Sequence, residues 1–197
     1  MFDYLSVILI IAAYLMGSLS SAILVCRLMH LKDPRNEGSG NPGATNVLRL
    51  GGKKAAIITL MGDVLKGFIP VSVALWLPVP AMVVGATVLA AFLGHLYPVF
   101  FRFQGGKGVA TAFGGLTALS WPLGLCVLAT WFIMAIIFRY SSLAAITAAV
   151  LAPVYAWALG GEQWIPAMII IALLLLWRHR DNIERLANTT ESKISFF

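Results

Sequence analysis

The sequence predicts an all-α integral membrane protein, folded as a bundle of seven membrane-spanning helices in a single domain over residues 1–197. Hydrophobic residues make up 60% of the chain and charged residues only 11%, whereas a soluble domain carries about 25% charged residues. Long apolar runs alternate with polar loops and with turns rich in proline and glycine, which end helices. The basic residues gather in alternate connections, as in helical membrane proteins.

The apolar runs and their breaks define the seven spans. The three tight breaks are residues 78–80 (PVP), 121–122 (WP) and 160–162 (GGE). The predicted spans are residues 4–27, 54–77, 80–100, 108–120, 122–138, 142–159 and 164–178. The fourth span is short, because 13 residues reach only about 20 Å against a hydrocarbon core of about 30 Å. The alternative for this segment is a half-helix that begins at the preceding glycine-rich string.

The placement of lysine and arginine predicts the orientation of the bundle. If the N-terminus lies outside, the loops around 28–53 and 101–107, the turn at Arg139 and the C-terminal tail all face the cytoplasm. Together with Arg27, Lys54 and Arg178 at the adjoining span ends, these stretches hold 13 of the 14 lysine and arginine residues. Because positive residues accumulate on cytoplasmic loops, we expect an external N-terminus and a cytoplasmic C-terminus. The net charge of +6 then reflects topology, and no basic stripe interleaved with aromatics indicates nucleic-acid binding.

A first glycine-rich string, residues 37–49 (EGSGNPGATNVLR), follows the first span. Asn41 and Pro42 are typical of a helix N-cap and first helical position, and Gly51-Gly52 is typical of a helix end. The string therefore predicts a short interfacial helix after the first span.

The side chains of this string suit an anion-binding site. On the predicted helix Thr45, Asn46 and Arg49 share one face. Ser39 lies just before the helix N-terminus, where free N–H groups and the helix dipole favour an anion. Glycines in the string allow close approach of a phosphate to the backbone. The alternative is a capped loop with a solvated arginine.

A second glycine-rich string, residues 103–111 (FQGGKGVAT), follows the third span. It is not a Walker loop, because GxxxxGK[ST] is absent and no strand precedes it. Consecutive glycine N–H groups can still form a concave anion site, which Lys107 would complete with a positive charge. The alternative is a flexible basic turn at the lipid headgroups.

Two further groups of polar residues are candidates for function. Asp63 and Lys66 lie midway along the second span, where either would cost roughly 2.5–3.5 kcal/mol if it faced lipid. We expect them to form either a buried structural ion pair or part of the wall of a substrate-binding cavity. At the end of the last span, His179 and Asn182 share a helix face. Ser142 begins the sixth span, after the inner turn at Arg139.

Several of these strings together resemble the acyl-phosphate:glycerol-3-phosphate acyltransferases, the PlsY family. The resemblance covers nearly the whole chain and rests on residues 39–49 (SGNPGATNVLR), 63–67 (DVLKG), 94–95 (GH) with Pro98, 105–111 (GGKGVAT) and 179–186 (HRDNIERL). One departure is Thr189, where the family usually shows glycine in an Asn-Gly-Thr-Glu string; Glu191 is present.

The resemblance implies an enzyme that transfers a fatty acyl group from acyl phosphate to the sn-1 hydroxyl of glycerol 3-phosphate. The products are lysophosphatidic acid and phosphate, in bacterial phospholipid biosynthesis at the cytoplasmic face of the inner membrane. It implies membrane lipids as surroundings, no cofactor, no metal and no nucleic acid, and we expect a monomer. The expected catalytic residues are Ser39, Arg49, Lys107, His179 and Asn182. The expected substrate-binding residues are Gly40, Asn41, Gly43, Thr45, Asn46, Lys66, Gly105, Gly106, Gly108 and Ser142.

Two other classes of function fit the sequence less well. A transporter for a phosphorylated or organic anion could use a basic, glycine-lined cavity, but transporters typically show paired repeats and helices broken at the midplane, and no repeat is visible. If the chain were a purely structural membrane subunit, neither glycine-rich string would have a role. The chain also has no H-x4-D string, by which the unrelated acyl-CoA-dependent acyltransferases place a general base.

Overall fold

The computed structural model describes residues 3–194, and within them the chain forms nine α-helices and no strand. Single 3₁₀ turns at Val99–Phe101 and Glu162–Trp164 lie between helices. The helices are α1 (Tyr4–Gly17), α2 (Ser21–Leu28), α3 (Ala44–Trp76), α4 (Ala81–Leu96), α5 (Val109–Leu119), α6 (Trp121–Phe138), α7 (Ser141–Ala158), α8 (Ile165–Arg178) and α9 (Arg180–Ala187).

Each predicted apolar run coincides with a helix, or with two helices in succession, and four helices are long and apolar enough to cross a membrane. These are α3, α4 with the turn after it, α6 and α7. The number is five if α1 and α2, which are bent by 42° at residues 18–20, count as one span. The helix α5 has only 11 residues, about 17 Å at 1.5 Å per residue. The structure is therefore that of a helical integral membrane protein with four or five membrane-capable helices.

Two helices pack closely where a glycine of one helix faces the backbone of the other. A β-carbon at Gly67 of α3 would collide with the Thr111 carbonyl of α5, and one at Gly114 would collide with the Val64 carbonyl. Small residues at helix contacts let backbones approach each other in membrane proteins. The close contact between α3 and α5 fixes the start of α5, which carries the end of the second glycine-rich string.

The bend between α1 and α2 is held by a buried charge. The Lys66 ammonium donates to the Leu19 carbonyl at 2.8 Å and pairs with Asp63 at 2.8 Å. Both charged residues are buried. A backbone carbonyl freed by a helix break within a membrane needs an internal partner, and Lys66 supplies it. Of the two alternatives for this pair, these contacts favour the structural ion pair over a wall of the substrate cavity.

The short helix after the first span exists, but its predicted start is wrong. It begins at Ala44 with Gly43 as the N-cap, so Asn41 and Pro42 precede it. The Gly43 carbonyl accepts the N–H groups of Asn46 and Val47, both at 3.0 Å, and so closes the first turn. The predicted end is confirmed as a kink, since Gly52 has φ 73° and ψ −172° within α3.

Candidate active site

The second glycine-rich string is held in place by Arg178, the last residue of α8. Its guanidinium donates to the Gly105 carbonyl at 2.9 Å and to the Gly106 carbonyl at 3.0 and 3.2 Å. The Gly106 N–H donates to the His95 carbonyl at 3.2 Å. Contacts from α4 and α8 therefore hold this string, which carries Lys107, in place.

The glycines of this string are needed for close packing within the protein. A β-carbon at Gly105 would collide with the His95 carbonyl, and one at Gly106 would meet the His95 ring and lie 2.9 Å from the Pro42 carbonyl. Gly108 has φ +81° and packs on Phe92. The Gly106 contact also places the first glycine-rich string directly against the second.

His95 belongs to a buried polar chain behind the string. Its Nδ1 lies 3.1 Å from the Thr111 hydroxyl and 3.7 Å from Asp63. The ion pair of Asp63 with Lys66 thus contacts the same imidazole that packs against Gly106. These residues support the string from the bundle side.

Lys107 points toward α9 and forms the centre of the candidate site. Its ammonium donates to the side-chain oxygen of Asn182. The Asn182 amide nitrogen in turn donates to Glu191 at 2.6 Å. Both hydrogen bonds fix which way the buried Asn182 amide is turned, because its oxygen must face the lysine.

Glu191 joins the C-terminal tail to the site, and sequence reasoning did not select it as a functional residue. Its carboxylate accepts the Ser142 hydroxyl at 2.7 Å and the Arg185 guanidinium at 2.7 Å, besides the Asn182 amide. The sequence feature that could have indicated Glu191 is the tail string of residues 188–191, in which this chain departs from the family at Thr189. That residue has φ 57°, a left-handed backbone that glycine adopts without steric cost.

The tail also reaches the first string and the turn before α7. The Arg49 guanidinium donates to the Ser192 hydroxyl at 3.0 Å. The Ile194 N–H donates to the Arg139 carbonyl at 2.7 Å, and the Arg139 guanidinium donates to the Ile194 carbonyl at 3.2 Å. The tail after α9 therefore brings Arg49, Lys107, Ser142 and Asn182 into one cluster.

His179 is a buried, neutral imidazole next to this cluster. It lies at the break between α8 and α9. The predicted helix face shared with Asn182 would have required one continuous helix through both residues. Its Nδ1 lies 2.9 Å from the Leu175 carbonyl. A carbonyl only accepts, so Nδ1 carries the proton and Nε2 is left as an acceptor. Burial, and then the charge of Lys107, lower the pKa of His179 to about 4.

The charges of the cluster are tuned by burial. Burial lowers the pKa of Lys107 to about 8. Burial raises the pKa of Glu191, but hydrogen bonds from Ser142, Arg185 and Asn182 outweigh it and keep that pKa below its usual value. At neutral pH the cluster thus presents the Arg49 guanidinium, the Lys107 ammonium and the Glu191 carboxylate, with the neutral His179 imidazole beside it.

The residues of the first string are divided between surface and interior. Ser39, Thr45 and Arg49 have exposed side chains. The expected common face is wrong for Asn46, which is 1% exposed. Its amide donates to the carbonyls of Pro34 and Glu37, both at 2.9 Å, and accepts the Ser39 N–H at 3.0 Å. Asn46 therefore shapes the loop that presents Ser39.

Chemically, this arrangement suits binding of phosphate groups. It combines two cationic side chains, Arg49 and Lys107, with hydroxyl and amide groups on loops of the same end of the protein. The imidazole Nε2 of His179 can accept a hydrogen bond from a substrate hydroxyl. No carboxylate of residues 3–194 bonds to the His179 ring, and Glu184, five residues further on, is exposed.

Comparison with known proteins places the chain among membrane enzymes. A family profile described as glycerol-3-phosphate acyltransferase matches residues 7–189. The chain is 58% identical to a glycerol-3-phosphate acyltransferase of Thioalkalivibrio sulfidiphilus over 94% of its length and 92% of the relative. It is 55% identical to one of Methylococcus capsulatus over 95% of both chains.

Two solved structures share the fold. One is PlsY (YgiH), an integral membrane glycerol 3-phosphate acyltransferase in its glycerol 3-phosphate form, with TM-score 0.92 and 41% identity over 96% of both chains. The other is described as the lysophosphatidic acid form, with TM-score 0.90 and 40% identity over 96% of this chain and 95% of that one. Fold and relatives together define an integral membrane acyltransferase and do not support the transporter alternative. The chain belongs to the glycerol-3-phosphate acyltransferase family.

Proposed function

We propose that the protein transfers a fatty acyl group from acyl phosphate to the sn-1 hydroxyl of glycerol 3-phosphate, giving lysophosphatidic acid and phosphate. The observation that carries this proposal is the cluster that the C-terminal tail brings together, in which Arg49 and Lys107 lie with Ser142 and Asn182 beside the neutral His179. The solved relatives are described in forms with glycerol 3-phosphate and with lysophosphatidic acid. Both of those molecules carry the phosphate for which such a cluster is suited.

In the proposed reaction the sn-1 oxygen attacks the acyl carbon, and the bond from that carbon to the phosphate oxygen breaks. Phosphate leaves, and one of its oxygens takes the proton from the attacking hydroxyl. Ser39, Arg49 and Lys107 stabilise the charge that develops on phosphate, a form of preorganised electrostatic catalysis. His179 accepts a hydrogen bond from the hydroxyl through Nε2, and Asn182 holds the lysine in position.

The remaining site residues receive two kinds of role. We assign direct substrate contact to the first string, at Gly40, Asn41, Gly43 and Thr45. The other expected binding residues hold the site in shape instead, because their contacts within the chain are already made; they are Asn46, Lys66, Gly105, Gly106, Gly108 and Ser142. Their substitution should weaken substrate binding through loop displacement.

We also propose the membrane arrangement of the enzyme. The chain acts as a monomeric single domain in the bacterial inner membrane, with seven spans, the N-terminus outside and the site at the cytoplasmic face. The support is the asymmetry of the basic residues. Cysteines introduced near residues 50 and 190 should react from the cytoplasm only, and one near 162 from outside only. Labelling of position 162 from inside would refute this topology.

The donor is tested by a direct comparison. Purified protein and glycerol 3-phosphate are offered acyl phosphate, acyl-CoA or acyl carrier protein with the same chain, and lysophosphatidic acid is measured. We expect turnover with acyl phosphate alone. Lys107→Ala should lose most of this activity, whereas Lys53→Ala, which changes an exposed lysine outside the cluster, should keep it. Comparable rates with acyl-CoA would overturn the assignment of the donor.

A further inference from the structure

A second basic site lies beside the candidate active site and shares none of its cationic residues. It is a cavity of about 380 Å³ lined by Arg27, Arg35, Arg102 and Gln104, with Phe100 and Phe101 among its walls. Arg27 comes from the end of α2, Arg35 from the first loop and Arg102 from the turn after α4. Three arginines from three separate segments therefore line one cavity.

One of the three arginines is held in a fixed orientation. The Arg35 guanidinium donates to both carboxylate oxygens of Asp33, at distances from 2.7 to 3.3 Å. Its third nitrogen lies 3.5 Å from the Gln104 side-chain oxygen. A guanidinium that is already oriented loses less side-chain entropy when it binds a phosphate.

The other two arginines keep their charge available for a ligand. Within residues 3–194, neither Arg27 nor Arg102 forms an ion pair with a carboxylate. Arg27 lies over the Phe101 ring, 5.9 Å from its centre. Because Asp33 neutralises the charge of Arg35, the cavity keeps two uncompensated positive charges, those of Arg27 and Arg102. Two positive charges match a singly or doubly charged phosphate group.

The rim of this cavity is apolar and exposed. Phe100, which lines the cavity, is 57% exposed, and Phe103, which directly follows Arg102 in the sequence, is 58% exposed. Arg102 and Phe103 both have left-handed backbone, with φ 55° and 59°, a strained conformation that tends to mark functional turns. Aromatic side chains are enriched at the membrane–water interface. A ligand with a phosphate headgroup and an apolar body fits both the arginines and the phenylalanines.

We propose that the Arg27–Arg35–Arg102 cavity binds the phosphate headgroup of an anionic membrane phospholipid. The lipid phosphate lies among the guanidinium groups, and its acyl region lies against Phe100 and Phe103. This site is separate from the substrate site, and it does not depend on which acyl donor the enzyme uses. It holds a lipid next to Gln104, the second residue of the second glycine-rich string.

The test measures lipid binding to the purified protein by native mass spectrometry. Phosphatidylglycerol and phosphatidylcholine with identical acyl chains are titrated against the parent, an Arg27→Gln/Arg102→Gln variant and a Lys53→Gln/Lys54→Gln control. The control removes two positive charges from exposed residues outside the cavity. Thermal unfolding midpoints establish that each variant is folded, and Arg102→Gln alone serves if the double variant is not.

We expect the cavity variant to bind phosphatidylglycerol about 25-fold more weakly than the parent, or about fivefold for each charge lost. The lysine control should retain the parent affinity, and phosphatidylcholine should bind weakly to all three proteins. Equal phosphatidylglycerol affinity in the cavity variant and the lysine control would overturn the proposal. Displacement of the lipid by millimolar inorganic phosphate would instead show a site for free phosphate and overturn the assignment to lipid.

Discussion

Replacing Glu191 with glutamine tests whether the tail orders the active site. The carboxylate accepts hydrogen bonds from Ser142, Asn182 and Arg185, with all three distances between 2.6 and 2.7 Å. Glutamine has nearly the same shape, but it has one acceptor oxygen instead of two and no charge. In either orientation its NH₂ group must face a donor, so at least one hydrogen bond is lost and the others weaken.

The size of the effect follows from these contacts. The Arg185 side chain is 44% exposed, so its pair with Glu191 contributes at most about 1 kcal/mol. The bonds from Ser142 and Asn182 each weaken by about 1 kcal/mol when the acceptor loses its charge. A loss of about 2–3 kcal/mol corresponds to a fall of about 4–12 °C in the unfolding midpoint for a chain of this size.

The same substitution should impair turnover, because it releases the Asn182 amide that holds Lys107. Misplacement of a positioning group by about 1 Å can cost about a hundredfold in rate, and we expect kcat/KM for glycerol 3-phosphate to fall about ten- to hundredfold. The assays are thermal unfolding in detergent and initial rates with acyl phosphate. Glu184→Gln, which changes an exposed glutamate of α9, is the matched control. If both variants unfold and turn over alike, the tail does not order the site.

Three further substitutions probe the backbone, the charge and the packing of the site. Thr189→Gly should raise the unfolding midpoint, because glycine avoids the roughly 1–2 kcal/mol cost of left-handed backbone at φ 57°; an unchanged or lower midpoint would mean that this turn is unstrained. In the parent, kcat/KM should fall as the pH rises through about 8, where Lys107 loses its proton, and Lys107→Arg should remove that fall from whatever activity it retains. A parent profile that stays flat to pH values above 9 would contradict this role. Gly106→Ala should lower the unfolding midpoint and raise KM for glycerol 3-phosphate, because the added methyl group meets the His95 ring. Gly85→Ala, where the nearest atom is 3.6 Å away, should be nearly neutral, and equal effects in the two variants would contradict the packing argument.

The helices could be predicted from the sequence because local signals set their ends. The turns at residues 78–80 and 160–163 separate helices where proline or glycine interrupts an apolar run. The kink at Gly52 likewise follows from a Gly-Gly pair. The polar strings stood out because irregular polar backbone is expensive in hydrocarbon and is kept only where it has a partner or a role.

Other features depend on contacts that no local pattern contains. The bend between α1 and α2 is held by Lys66, 47 residues away from Leu19 along the chain. The helix after the first span starts later than predicted, and the Asn46 side chain is used to tie down the preceding loop. The role of Glu191 arises only when the tail folds back onto α7 and α9. Such long-range contacts can be read from the structure and not from periodicity.

The central claim is that the site binds and orients phosphate substrates and does not depend on a side chain acting as general base. Its most direct test is the dependence of kcat on pH for the parent and for His179→Asn. The pKa of His179, lowered to about 4, predicts no histidine limb near neutral pH. We expect both proteins to show a common limb near pH 6 from the second ionisation of a phosphate group, at a pKa of about 6. The variant should lose less than about a hundredfold in rate, because it loses positioning and not an essential base. If the parent has a limb near pH 6–7 that the variant lacks, and the variant loses about a thousandfold or more in rate, His179 is a general base and the account is contradicted.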